Sequence, residues 1–324
     1  MTSTASSRLD WVLFLLLGFF WGSSYLFIKI GVEAGIQPLT LVSVRIAIGL
    51  TLLGVIGLVS RVRMPRDPST WAHIAVIGVL SVALPFVLIT WAEQEVDSTL
   101  ASVINGAIPL VVIVLAAAVL RDEPLTAPRV GGLLVGFAGL IILVGFDPAT
   151  LGTSGGLPVA ALIASTVSYA AGGVWARRFL GGVRPIVLAI GELGFALLYV
   201  APFAVLFEGT SGLPTTTEGW LALLWLGLLG SGFAFLIFFR LLGRWDATRT
   251  SLVAYLIPVF GLLLGASVLG ERVDAGLLVG TALIVGGIAL VNLRRPGAAP
   301  NEGAVGEPSM SVPAASARPG PARG

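Results

Sequence analysis

Two ionisable residues sit deep inside apolar runs. Arg45 follows Pro38 by seven residues, and Glu192 follows Pro185 by seven. If each run is a membrane-spanning helix entered at its proline, a rise of 1.5 Å per residue buries each charge about 10 Å below a membrane surface. A charge at that depth costs at least about 2.5–3.5 kcal/mol and ordinarily faces a partner or a water-filled cavity. In such a cavity Arg45 can hold the anionic group of a small molecule, and Glu192 can take a proton or a substrate ammonium. The plainer readings are a structural ion pair that orients two helices, or an arginine that snorkels to the interface.

Two prolines add a second kind of site. Pro109 and Pro258 fall about midway along further apolar runs, and each frees the carbonyl four residues earlier, that of Asn105 and that of Ala254. Asn105 and Tyr255 stand one turn before these kinks and can add side-chain hydrogen bonds there. Paired interruptions in two halves of a chain point to a transporter site. A simple packing kink is the alternative, since transmembrane helices tolerate proline. Trp21-Gly22-Ser23-Ser24-Tyr25, Thr90-Trp91 and Ser165-Thr166 with Ser168-Tyr169 bring rings and hydroxyls that line a cavity, or serve as interfacial belt and interhelical glue. The candidate substrate-binding set is therefore Arg45, Glu192, Asn105, Tyr255, Trp21, Tyr25, Trp91 and Tyr169, with Pro109 and Pro258 as the kinks. Trp11, Trp71 and Trp220 read as belt residues.

These pairs belong to a larger repeat. Pro38 and Arg45 are echoed by Pro185 and Glu192, and Val96-Asp97-Ser98-Thr99 by Trp245-Asp246-Ala247-Thr248. Pro109 recurs as Pro258, and Glu123, Gly132 and Gly139 recur as Glu271, Gly280 and Gly287. Order and offset are kept across most of the chain. Two copies with an odd number of spans each must enter the membrane with opposite orientation.

The elements that position these residues follow from composition. Charged residues make up 11 % of the chain and hydrophobic ones 56 %, against roughly 25 % and 45–50 % in soluble domains. Runs of about 20 uncharged residues are long enough to span hydrocarbon as helices. They lack the alternation of a barrel. The expected fold is all-α and integral to the membrane, with ten helices over 11–30, 39–60, 71–91, 99–119, 129–146, 156–175, 185–206, 219–240, 250–268 and 275–293. Residues 11–146 form the first five-helix repeat and 156–293 the second, inverted one. Residues 1–10 are a cytoplasmic N-terminus, and 296–324 a disordered cytoplasmic tail rich in Pro, Ala, Gly and Ser.

Arginine placement orients the bundle. Of the 19 basic residues, all but Lys29, Arg45 and Arg272 fall on one set of alternate loops and the termini. The opposite loops carry Glu33, Glu93, Glu95, Asp97, Asp147, Glu208 and Glu218. The positive-inside rule makes the arginine side, and both termini, cytoplasmic. The loop with Glu123 then faces inside and its counterpart with Glu271 faces outside.

Other functions find little support. The chain has no cysteine, and its single His73 has no ligand set around it. No metal and no cofactor is expected. Neither a phosphate-binding loop nor a nucleophile beside a base appears, so the chain does not read as an ATPase or another enzyme. The basic residues sit in loops at one face and form no nucleic-acid surface. Gly132-x-x-x-Gly136 and Gly276-x-x-x-Gly280 permit close helix approach, within the bundle or between the protomers of a homodimer.

Several motifs together carry a family resemblance. They are Trp21-Gly22-Ser23-Ser24-Tyr25 through Lys29, Pro38 and Arg45; Leu120-Arg121-Asp122-Glu123; Trp175-Ala176-Arg177-Arg178; and Leu269-Gly270-Glu271-Arg272. From about Leu9 to Arg295 the chain resembles the ten-span, EamA-domain branch of the drug/metabolite transporter superfamily. The resemblance implies a central cavity between the first four helices of each copy, peripheral fifth and tenth helices, and alternating access without ATP. The second copy departs from the first where Glu192 replaces Arg45 and Ala176 replaces Lys29. The expected function is secondary transport of small organic metabolites, amino-acid-like or related, out across a bacterial inner membrane. Glu192 would couple protons and Arg45 would favour anionic or zwitterionic cargo. An uncoupled facilitator and a non-transporting membrane scaffold are the alternatives.

Overall fold

The computed structural model describes residues 8–119, 126–144, 156–245, 250 and 252–292. Several expectations lie outside these residues: the Glu123 loop, the Asp246-Ala247-Thr248 motif, the outermost N-terminus and the tail at 296–324. The described residues are helical, joined by short turns. In chain order the helices are α1 (Arg8–Glu33), α2 (Pro38–Val59), α3 (Pro68–Ala92), α4 (Ser98–Val119), α5 (Ala127–Val144), α6 (Gly156–Phe179) and α7 (Pro185–Glu208). Then α8 runs from Thr217 to Arg244, α9 covers Leu252–Val268 and α10 covers Ala275–Asn292. Seven helices, α1 to α4 and α6 to α8, are long and apolar enough to cross a membrane; the apolar stretches of α5, α9 and α10 are shorter.

Local chemistry sets the starts. Proline occupies the first turn of α2, α3 and α7, where its missing N–H would have had no helical partner. Asp67 caps α3, accepting from the Ser69 and Thr70 amides at 3.3 and 2.9 Å. Those three hydrogen bonds, counting the Thr70 hydroxyl, hold the Asp67 carboxyl below its usual range. Asp274 caps α10 through the Leu277 amide at 2.7 Å.

The interiors are less regular than the apolar runs imply. Helix α3 widens into π-helical turns at Val79–Ala83, α7 at Ala204–Glu208 just after Pro202, and α8 at Trp225–Phe233. Helix α4 breaks at Ala107, two residues before Pro109. Helix α9 opens with a tight 3₁₀ turn over Leu252–Tyr255 before becoming α-helical around Pro258. The two proline kinks abut, since a side chain on Gly106 would press on the Pro258 ring at 3.1 Å.

Helix neighbours repeat when the first five helices are exchanged for the last five. Helix α1 packs on α8 and α9, as α6 packs on α3 and α4. Helix α2 packs on α8, as α7 packs on α3. The contacts α2–α7, α4–α9 and α5–α10 map onto themselves. Helices α5 and α10 meet mainly each other, backbone to backbone. A Cβ on Gly132 would lie 2.6 Å from the Gly287 carbonyl, and one on Gly139 would lie 2.7 Å from that of Gly280.

These contacts give a paired prediction in adjacent residues of α10. Gly287→Ala must push the helices apart and should cost about 1–3 kcal/mol, as over-packed interiors do. Gly286 has open space beside it, so Gly286→Ala should be neutral or gain up to about 1 kcal/mol from helix propensity. Thermal unfolding in detergent measures both, and equal shifts would contradict the close α5–α10 approach.

Candidate functional site

Arg45, on α2, is 4 % exposed and is met by groups from α1, α3, α6 and α8. Its Nε donates to Ser231 Oγ at 3.1 Å, and its guanidinium lies over the Phe86 ring at 4.0 Å from the centroid. Ser231 belongs to the π-helical part of α8, and Phe86 follows the π-helical turn of α3. Each distortion thus presents a group to the same arginine, and π turns recur at functional sites. Arg45 also interacts electrostatically with Tyr25 of α1, Tyr169 of α6 and Glu93 at the end of α3. Among the described residues the ion pairs are Lys29–Glu33 and Arg244–Asp10. Arg45 therefore has no carboxylate within ion-pair distance, and its terminal nitrogens carry no hydrogen bond among those residues.

Glu192 is 8 % exposed on α7 but does not close on Arg45. Glu208 touches Thr40, and a Cβ on Gly57 would meet Ile190, so α2 and α7 run antiparallel. That register sets Arg45 and Glu192 at levels about 15 Å apart along the bundle. No ion pair forms between them among the described residues. Tyr169 interacts electrostatically with both charges.

The kink at α4 is answered by α6. Asn105 Oδ1 accepts from Ser165 Oγ at 3.0 Å and Thr166 Oγ1 at 3.4 Å, while its Nδ2 donates to the Ala101 carbonyl at 3.2 Å. Ser168 donates to the Leu80 carbonyl in the π-helical turn of α3 at 2.8 Å. Tyr255 packs instead with Val103, Ala107 and the α5–α10 residues. Trp21 meets Phe235 edge to face and Phe238 at a tilt between α1 and α8, and Trp91 is 39 % exposed at the end of α3. So Tyr25, Arg45 and Tyr169 share one electrostatic neighbourhood, Glu192 reaches it through Tyr169 alone, Asn105 supports the α4 break, and Tyr255, Trp21 and Trp91 lie in other surroundings. His73 stacks on Phe179 at 4.6 Å beside Trp175.

The end of the bundle that carries the acidic loops is laced by side chains onto helix termini. Glu208 accepts from the Leu39 and Thr40 amides at 2.9 and 2.7 Å and from the Thr40 hydroxyl at 2.7 Å. Glu271 accepts from the Ser98 and Thr99 amides at 2.7 and 2.8 Å. Both carboxylates sit at helix N-termini, where orphan amides and the helix dipole favour negative charge. Lys29 donates to the Glu93 and Val96 carbonyls at 2.9 and 3.0 Å, at the C-terminal end of α3. Lys29 and Glu271 also line a cavity of about 370 Å³ with Glu33, Asp97, Gly270 and Arg272. A larger apolar groove on α7, bordered by Gly194, Leu198 and Pro202, shares no residue with this cluster.

Sequence reasoning passed over Ser231, Phe86 and Glu93. Gly230-Ser231-Gly232 carried a signal, a hydroxyl between two glycines in a span. Glu93 reads as a loop acid but is fully buried.

Comparison with known proteins agrees with this architecture. A model of the EamA-like transporter family matches residues 10–145 and again residues 156–293. An uncharacterized transporter of Archaeoglobus fulgidus is 27 % identical over 286 residues, which is 88 % of this chain and 99 % of that protein. The uncharacterized inner membrane transporter YedA of Escherichia coli is 30 % identical over 277 residues, 84 % of this chain and 87 % of its own length. A crystal structure with 24 % sequence identity superposes with a TM-score of 0.64, covering 89 % of this chain and 99 % of the other. That likeness bears on the fold alone.

The Glu271 clamp yields a prediction. Glu271→Ala leaves two amides at the start of α4 without their charged acceptor. It should destabilise the protein by about 2–3 kcal/mol, on the scale of hydrogen bonds to charged groups. Hydrogen–deuterium exchange should rise at Ser98 and Thr99 and stay unchanged at Leu39 and Thr40; a uniform rise would deny the clamp its local role.

Proposed function

The chain belongs to the EamA-like transporter family, and from that membership we propose that it is a secondary transporter exporting small anionic or zwitterionic organic metabolites by alternating access. The observation that carries the cargo class is Arg45, a buried guanidinium with no carboxylate partner among the described residues. Its held Nε and stacked face leave the terminal nitrogens as the fork that a carboxylate or phosphate of a substrate would meet in bidentate fashion. Tyr25 and Tyr169 flank that position with rings and hydroxyls. Glu192, one level away beyond Tyr169, is suited to a cargo ammonium or a proton.

The exchange of neighbours between the two sets of five helices supports inverted repeats, as in many secondary transporters. On this reading the arginine-rich end faces the cytoplasm and holds both termini, and the acidic end opens to the outside of an inner membrane. The kinked α4–α9 crossing and the π-helical turns of α3 and α8 would be where the helices flex. The clamps at the acidic end close the outer side in this conformation.

The test begins with an unbiased comparison of intracellular and extracellular metabolites in cells with and without the protein, followed by uptake into vesicles of whichever compound is displaced. Arg45→Ala should weaken its transport roughly 10- to 100-fold, the effect of losing a charged hydrogen bond of about 1.5–3 kcal/mol, and Arg45→Lys should recover only part. Undiminished flux through Arg45→Ala would refute the anchor. Flux indifferent to pH gradient and voltage would mark a facilitator.

A further inference from the structure

Glu93 is the buried carboxylate that the reading above leaves without a task. It is 0 % exposed, and neither carboxyl oxygen has a hydrogen-bond partner among the described residues. The nearest cation is already engaged. Lys29 gives its ammonium to the backbone carbonyls of Glu93 and Val96 and lies 3.8 Å from Glu33. Charged and titratable groups face Glu93 from every side: Lys29 and Tyr25 on α1, Arg45 on α2, and Glu271 from the turn between α9 and α10. Of the two neighbouring carboxylates, Glu271 accepts from two backbone amides. Glu93 has no such support.

An ionised carboxylate without donors in a dry site is far costlier than a neutral carboxyl. Burial pushes the Glu93 carboxyl well above its ordinary range; Lys29 opposes this, Glu271 adds to it and Arg45 opposes it. A cavity adjoins two of these neighbours. Lys29 and Glu271 are wall residues of the 370 Å³ cavity at the acidic end, and both interact with Glu93. On its other side Glu93 interacts with Arg45 and Tyr25. It stands between a charged vestibule and the candidate cargo anchor.

We propose that Glu93 is a proton-binding site of the transport cycle, protonated in this closed arrangement and exchanging its proton with vestibule water when Lys29 and Glu271 part. The inference rests on the alternating-access reading. The proton leaves Glu93 for a water molecule of the vestibule, and the resulting carboxylate is stabilised by Lys29 and hydration. The sign follows from linkage: the closed state binds the proton more tightly than a hydrated glutamate does, so closure is favoured at low pH. It loses that advantage as pH rises from the ordinary glutamate range through the raised value of the closed state.

Infrared difference spectroscopy of the protein in lipid vesicles tests the site directly. Wild type should show a protonated-carboxyl band that persists above the ordinary glutamate range and titrates away in alkali. Glu93→Gln should remove that band, Glu93→Asp should retain a displaced one, and Glu192→Gln should leave it in place. A second readout follows the closure. In this cysteine-free chain a cysteine replacing Thr99, buried beneath Glu271, should gain reactivity toward an impermeant maleimide from acid to alkali by at least about tenfold more than a fully exposed reference cysteine does, since the thiolate itself rises with pH; adding Glu93→Gln should abolish that excess. A spectrum unchanged by Glu93→Gln with the aspartate variant also silent, or a labelling excess over the exposed reference that survives Glu93→Gln, overturns the proposal. A Glu93 band in a protein that moves no cargo would instead count against the transport reading.

Discussion

Hydrocarbon offers no hydrogen bond to a backbone group that a helix has released. An irregular turn in this bundle is therefore favoured where a neighbouring helix answers it, and at α3 and α4 those answers join the same partner, α6. The α4 break is met by Ser165 and Thr166 through Asn105, and the widened turn of α3 by Ser168. The widened turn of α8 supplies Ser231 to Arg45. Helix α6 is the main supplier of hydroxyls, which is why its polar residues are buried rather than facing lipid. The distortions and the polar interior are thus one feature. The turns that loosen the helices also bring the hydroxyls and the arginine together.

The same logic explains how the ends are held. Orphan amides at the starts of α2 and α4 are met by carboxylates far away in sequence, Glu208 and Glu271. The orphan carbonyls at the end of α3 are met by Lys29. Each of these contacts joins two helices at a terminus, so they can be exchanged for water without exposing hydrocarbon-buried groups. Contacts of that kind suit an end that opens and closes. The α5–α10 contact has the opposite character, being backbone on backbone along the helices.

Much of the fold was legible because membrane spans are written in long, simple runs. The expected helix bounds match to within a few residues at most ends, seven of those helices being long and apolar enough to cross a membrane, and Pro109 and Pro258 marked the broken helices. The glycines that align in the repeat are the ones that touch in the α5–α10 pair. What stayed hidden was set by tertiary contact. Nothing local separates an acid of the α3–α4 turn that is exposed, such as Glu95, from one that is buried, such as Glu93; the difference is Lys29 and Glu271 arriving from elsewhere. The π-helical turns carry no residue-type signature beyond scattered glycine, serine and proline. Arg45 and Glu192 were identifiable by depth, but their separation depends on the α2–α7 register, which spacing within each helix does not encode.

Lys29 is the chain's single lysine, and it lies in the vestibule wall with its ammonium on the end of α3. Amine-directed chemistry consequently has one side-chain address in the whole molecule, and that address sits at the junction of α1 with α3. Reductive methylation with an isotopic label would place one reporter there and nowhere else on a side chain. Its resonance would follow the hydration and hydrogen bonding of that junction in the native sequence, with no engineered residue.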